Sequence, residues 1–96
     1  MTRRYEGMFI IKPDMNEEEL NKTVGSIEGT IVKNGGKVEN SQKWARRQLA
    51  YGIKKYKEGE YYLFDFEAEP KSILAMEDVY RLNENILRTL ITAKEK

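Results

Sequence analysis

Two periodicities divide this chain of 96 residues. From Arg3 to Ile11 the letters read as a strand whose later half, Met8 to Ile11, is apolar on both faces, and Lys12-Pro13-Asp14 ends it. A strand covered on both sides is expected in the middle of a sheet. The period then changes: Leu20, Val24, Ile27 and Ile31 repeat at helical spacing as one apolar stripe. Asn16 supplies the N-cap, Glu19 closes a capping box, and Asn34-Gly35-Gly36 stops the helix with a left-handed end. Gly25 and Gly29 lie opposite the stripe, where each costs roughly 0.5–1 kcal/mol relative to Ala; they either admit a close partner or reflect drift.

A second strand is expected from about Lys37 to Ile53, with Leu49, Tyr51 and Ile53 alternating against Gln48, Ala50 and Gly52, then a turn from Lys54 to Gly59. Glu60 to Glu67 makes a third strand rich in aromatics. Its more apolar face, Tyr62, Phe64 and Phe66, is assigned to the helices, which leaves Tyr61, Leu63 and Asp65 on the other side. Pro70 opens a second helix with Ile73, Met76 and Tyr80 on one stripe, Asn83-Glu84-Asn85 breaks it, and Ile86 to Ala93 forms the last strand.

The order strand, helix, strand, strand, helix, strand predicts an α+β fold, the ferredoxin-like split β-α-β (βαββαβ) arrangement, with a four-stranded antiparallel sheet and two helices on one face. Right-handed crossovers place the first and third strands at the centre and leave the other sheet face open. The expectation is a single domain, 1–96.

With 40% hydrophobic and 34% charged residues the composition is that of a soluble globular domain. No apolar run approaches the roughly 20 residues that span a bilayer, and the start does not resemble a signal peptide, so a cytosolic location is expected and no membrane partner. Cysteine and histidine are both absent, which excludes disulfides, thiolate or imidazole metal sites and the usual cysteine or serine–histidine nucleophiles. An enzyme is not expected, nor a catalytic residue, cofactor, metal or small-molecule substrate.

Net charge is only +1, yet Lys43 to Lys57 carries six basic side chains and no acidic one. Such local excess on a balanced chain points to an anionic partner met by one surface. Arg47 and Lys54 are seven residues apart, roughly 23 Å along a strand, a row suited to a nucleic-acid backbone and not to a compact pocket. The same letters also suit an edge strand whose cations only prevent edge-to-edge pairing. On a regular strand Arg46 and Arg47 point to opposite faces. They cannot both lie on one flat patch unless a bulge intervenes. If the Leu49 side meets the helices, Arg46 and Trp44 belong to the open face and Arg47 to its margin; a one-residue slip would exchange them. Trp44 is either a partner anchor or a platform for its arginine neighbour. Arg3 and Arg4 are either a solvated terminus or phosphate contacts.

The third strand lacks the basic residue and glycine of an RNA recognition domain, so shape and backbone recognition is favoured over stacking of single-stranded bases. Two other classes fit the fold. A protein-interaction or ligand-sensing module would need no basic strand. A phosphate-handling enzyme would need a glycine-rich loop before a helix, whereas Gly35-Gly36 follows one.

The opening Arg3-Arg4-Tyr5-Glu6, the run Trp44-Ala45-Arg46-Arg47-Gln48-Leu49-Ala50-Tyr51-Gly52-Ile53, Gly59-x-Tyr61 and the closing Ile86-Leu87-Arg88-Thr89-Leu90-Ile91 together resemble the bacterial small-subunit ribosomal protein S6 family. The likeness runs from Arg3 to Lys94; Ala45 stands where a glycine is frequent and Gly52 where proline is. The resemblance implies a structural constituent of the small ribosomal subunit that binds ribosomal RNA of the central, platform region and acts with ribosomal protein S18 as a heterodimer. By position it makes Arg3, Arg4, Arg46, Arg47, Lys54, Lys55 and Arg88 candidates for RNA or partner contact. A buried partner interface would need an anchor, for which Trp44, Tyr61 and Leu63 are the candidates.

Overall fold

The computed structural model describes residues 2–53 and 56–94, with backbone alone at residues 50, 51 and 53. The elements follow the expected order: β1 (Arg3–Ile11), α1 (Glu17–Lys33), β2 (Lys37–Ile53), β3 (Tyr56–Ala68), α2 (Pro70–Leu82) and β4 (Ile86–Ala93). All pairings are antiparallel and the sheet order is β2-β3-β1-β4, so β1 and β3 are central.

Helix α1 starts where Asn16 Oδ1 accepts the Glu19 backbone N–H at 2.8 Å, and its first turn carries Glu17, Glu18 and Glu19 against the positive end of the helix dipole. It ends in a Schellman motif: Gly36 N–H donates to Ile31 O and Gly35 N–H to Val32 O, at 2.8 and 2.9 Å. Gly35 takes φ 84°, the left-handed value that a side chain would resist. The chain thereby reverses into β2 with Gly36 pressed on the backbone of Glu67, where a Cβ would lie 2.8 Å from the carbonyl oxygen.

The two helices cover the sheet face that carries Phe9, Ile11, Phe64 and Phe66, and these pack with Ile27, Ile31, Met76 and Tyr80 as the fully buried core. Each such side chain contributes about 1.5–3 kcal/mol through burial. Phe9 sits at the centre, edge-on to Phe64 and to Tyr80 with ring centroids 5.4 and 4.8 Å apart. The Tyr80 hydroxyl donates to Ile27 O at 2.9 Å, so the polar end of a buried ring also ties α2 to α1. Burial pushes this phenol well above its ordinary pKa.

Strand β3 starts at Tyr56 rather than at Glu60, so Tyr56 to Gly59 belong to a strand and not to a turn. Their pairing is with β2 alone, because β1 ends at Ile11 opposite Glu60. The end of the β2–β3 hairpin therefore continues past the four-stranded sheet as a ribbon. Strand β2 also departs from regularity, with register shifts between Val38 and Asn40, between Lys43 and Ala45, and between Gln48 and Ile53.

Candidate functional site

The second of those shifts decides which side chains reach the helix-free face. Lys43 lies opposite Tyr62 and Ala45 opposite Tyr61, so Trp44 is one extra residue, a bulge that reverses the alternation of everything after it. Arg46 consequently pairs with Glu60, on the side of Tyr62 and the helices, while Arg47 pairs with Gly59 on the open side. The regular-strand expectation that Arg46 shares the open face with Trp44 does not hold; Arg47 is there instead. Leu49 moves with it. The position a Gly59 Cβ would take lies 3.8 Å from Leu49 Cδ2 and 2.4 Å from Ile10 Cγ2, so both apolar side chains lie over the open side of Gly59.

On that face the Trp44 ring stands edge-on to Tyr61 at 5.9 Å, and the Arg47 guanidinium lies 4.5 Å from the Trp44 ring centroid. This cation–π contact is worth about 0.5–1 kcal/mol at an exposed site, and it holds the charge in a set place. Of the two sequence readings of Trp44, the platform for Arg47 is the one the geometry shows; the ring is also 47% exposed.

Successive rows cross the open face. One runs from Trp44 through Tyr61 and Ile10 to Arg88; the next runs from Gln42 through Leu63 and Met8 to Leu90. Trp44, Tyr61, Leu63, Met8 and Leu90 form an apolar strip across all four strands, with Leu90 51% exposed. Met8 and Leu90 were not singled out from the sequence, although their parity in β1 and β4 carries the signal. Arg47 and Arg88 flank one side of the strip, and among the described residues no ion pair joins either to a carboxylate. On the other side Arg4 lies 3.6 Å from Glu39 and 3.9 Å from Glu67, and Lys94 Nζ lies 3.1 Å from Asp65. Arg3 is exposed at the start of β1, opposite Ala68. Lys54 and Lys55 lie outside the described residues.

Arg46 meets a different environment. Its Nε and Nη2 donate to Glu60 Oε2 at 2.9 and 2.7 Å, and Nη2 also donates to Pro13 O at 3.0 Å. Lys43 Nζ stands 3.2 Å from the other carboxylate oxygen, an ion pair whose geometry falls short of a directed hydrogen bond. Burial alone would push the Glu60 carboxyl up, but the Arg46 and Lys43 contacts outweigh it and hold the group below its usual range. The bond to Glu60 in turn raises the Arg46 guanidinium above its ordinary value.

Among the described residues no cluster of histidine, cysteine and carboxylate side chains could hold a metal, and no helix is long and apolar enough to cross a membrane. A four-stranded antiparallel sheet of order β2-β3-β1-β4, backed by two helices on one face and open on the other, defines the class: a ferredoxin-like α+β domain. Residues 4–93 match the family model for ribosomal protein S6. This chain belongs to the ribosomal protein S6 family, whose members are structural components of the small ribosomal subunit in the cytoplasm and not enzymes.

Small ribosomal subunit protein bS6 of Helicobacter acinonychis is 45% identical over 93% of this chain and 63% of that protein. The Clostridium novyi protein of the same name is 39% identical over 98% of this chain and 99% of its own. The chain spans 63–66% of the length of the Helicobacter relatives it matches. The crystal structure of 30S ribosomal protein S6 from Thermotoga maritima superposes with a TM-score of 0.89 at 32% identity, covering 98% of this chain and 89% of that one.

Proposed function

We propose that this chain binds ribosomal RNA of the central, platform region of the small subunit and does so as a heterodimer with ribosomal protein S18. The observation that carries this reading is the division of the open sheet face into an apolar strip and a side with cations that no carboxylate of the described chain neutralises. Apolar area of this kind suits a protein partner, with Trp44, Tyr61 and Leu63 as anchors and Met8 and Leu90 extending the strip. Arg47 and Arg88, with Arg3 and the lysines after Ile53, are the phosphate contacts. Arg4 and Arg46 act chiefly within the fold, each with carboxylates of this chain beside it. Phosphate contacts set orientation and a salt-dependent affinity without reading sequence.

Titration of a central-domain ribosomal RNA junction with this chain, alone and with S18, at two salt concentrations tests the proposal. Binding should strengthen with S18, and the slope of log K against log salt should be about −0.7 to −0.9 for each neutralised phosphate. Absence of binding in both arms, with folded protein and folded RNA, would leave a protein-interaction domain as the better reading.

A further inference from the structure

Glu60 is a carboxylate placed where carboxylates are rarely kept. Its position in β3 shares the parity of Tyr62, Phe64 and Phe66, which points it to the helix side, and only 5% of the residue is exposed. A buried carboxylate is tolerated when cations hold it, and β2 supplies two, Lys43 and Arg46. These are three positions apart. On a regular strand residues three apart point to opposite faces, so both can meet one carboxylate only if the strand gains a residue between them. The extra residue is Trp44. The insertion that brings Lys43 and Arg46 together on the helix side also brings Trp44 and Arg47 together on the open side, where the guanidinium stacks on the indole.

We propose that Glu60 is the positioning residue of the basic strand: by holding Lys43 and Arg46 together on the helix side, it selects the bulged register that presents Arg47 and Trp44 on the open face. Without it, the regular alternation competes, in which Arg46 and Trp44 share the open face and Arg47 turns toward the helices. No part of Glu60 reaches the open face, so its effect on ligands passes through the register. The importance of that register for RNA and S18 rests on the function proposed above; the register itself does not.

Two arms of one experiment separate these. In the free chain Trp44 is the only tryptophan, and its ring, 4.5 Å from the Arg47 guanidinium, should shift the NMR signals of the Arg47 side chain upfield. In Glu60→Gln, which keeps shape but cannot neutralise two cations, that ring-current shift should fall by more than half while far-UV circular dichroism is kept. An unchanged shift overturns the proposal.

An acid titration of the unmodified chain needs no variant to fold. The charged groups facing Glu60 are Lys43 and Arg46 of β2, with Glu58 beyond Arg46 and the Tyr62 phenol beside it; the β1–α1 turn contributes the neutral Pro13 carbonyl. Glu60 titrates below its ordinary 4.5, so its hold on the two cations is complete above that pH and is lost as pH falls through the depressed value. Trp44 fluorescence should change in that window before the helical signal does. A flat signal until global unfolding overturns the proposal.

In the second arm, RNA affinity of Glu60→Gln with S18 present should drop by about tenfold, the scale of one charge-assisted contact. If the unmodified complex binds no RNA, the functional reading fails while the two Trp44 measurements still decide the role of Glu60. If the unmodified complex binds and Glu60→Gln binds equally with its Arg47 shift lost, the link from register to RNA is refuted.

Discussion

The two sides of the apolar strip on the open face carry cations of the same kind in opposite circumstances. On one side Arg4 faces Glu39 and Glu67, and Lys94 faces Asp65, so the fold neutralises its own charge. On the other, Arg47 rests on the Trp44 ring, and Arg88 stands opposite Ile10, with no ion pair to a carboxylate among the described residues. An exposed arginine is therefore not in itself a binding residue. What distinguishes the two sides is whether neighbouring strands place carboxylates beside the cation, as Glu39 and Glu67 stand beside Arg4, or none, as at Arg47, whose company is Trp44 of its own strand. The pairing across strands is not disclosed by sequence spacing within one.

The largest effect comes from breaking the frame both sides share. Phe64→Ala removes a fully buried ring that packs edge-on against Phe9, and should cost about 3–5 kcal/mol in urea unfolding. Loss of both functions together would follow, with no preference between the sides. Gly59→Ala acts nearer the basic side. Its Cβ would lie 2.4 Å from Ile10 Cγ2, so either Ile10 or the ribbon must move, at about 1–3 kcal/mol in the same assay.

A sharper comparison comes from charge removal without overpacking. Arg47→Ala should weaken RNA binding by about five- to tenfold and flatten the salt slope by nearly one phosphate. Arg4→Ala, whose charge is already answered by two carboxylates, should change affinity less than threefold by the same RNA titration. Equal losses would show that the ion pairs of Arg4 open on binding and that the contrast drawn from the free chain is not the functional one. The smallest effect is expected at Lys94→Ala, where a partly exposed ion pair with Asp65 is lost. Thermal unfolding at low and high salt should differ from the unmodified chain by less than about 1 kcal/mol, with the difference shrinking as salt rises.

Much of this was legible beforehand. Helix α1 was readable because its cap at Asn16, its stripe and its glycine end agree with one another, and α2 because Pro70 and the Ile73-Met76-Tyr80 stripe do. The doubly apolar half of β1 named a central strand, and the sheet order followed from chirality. The candidate residues fall in different places. Trp44, Tyr61, Leu63, Arg47 and Arg88 meet on the open face, whereas Arg46 is drawn to the helix side and Arg4 is paired.

The amino-acid sequence by itself determined the elements, their order and the identity of the helix-facing aromatics, because periodicity, caps and breakers are local and each acts within a few residues. It also determined that a basic, tryptophan-bearing strand exists. Only the tertiary structure decided which of two adjacent arginines faces outward. That choice turns on one inserted residue at Trp44, and the insertion is favoured by Glu60, 14 positions beyond Arg46 in the chain and directly opposite it in the sheet. Strand parity is a rule of one strand, whereas a bulge belongs to a pair.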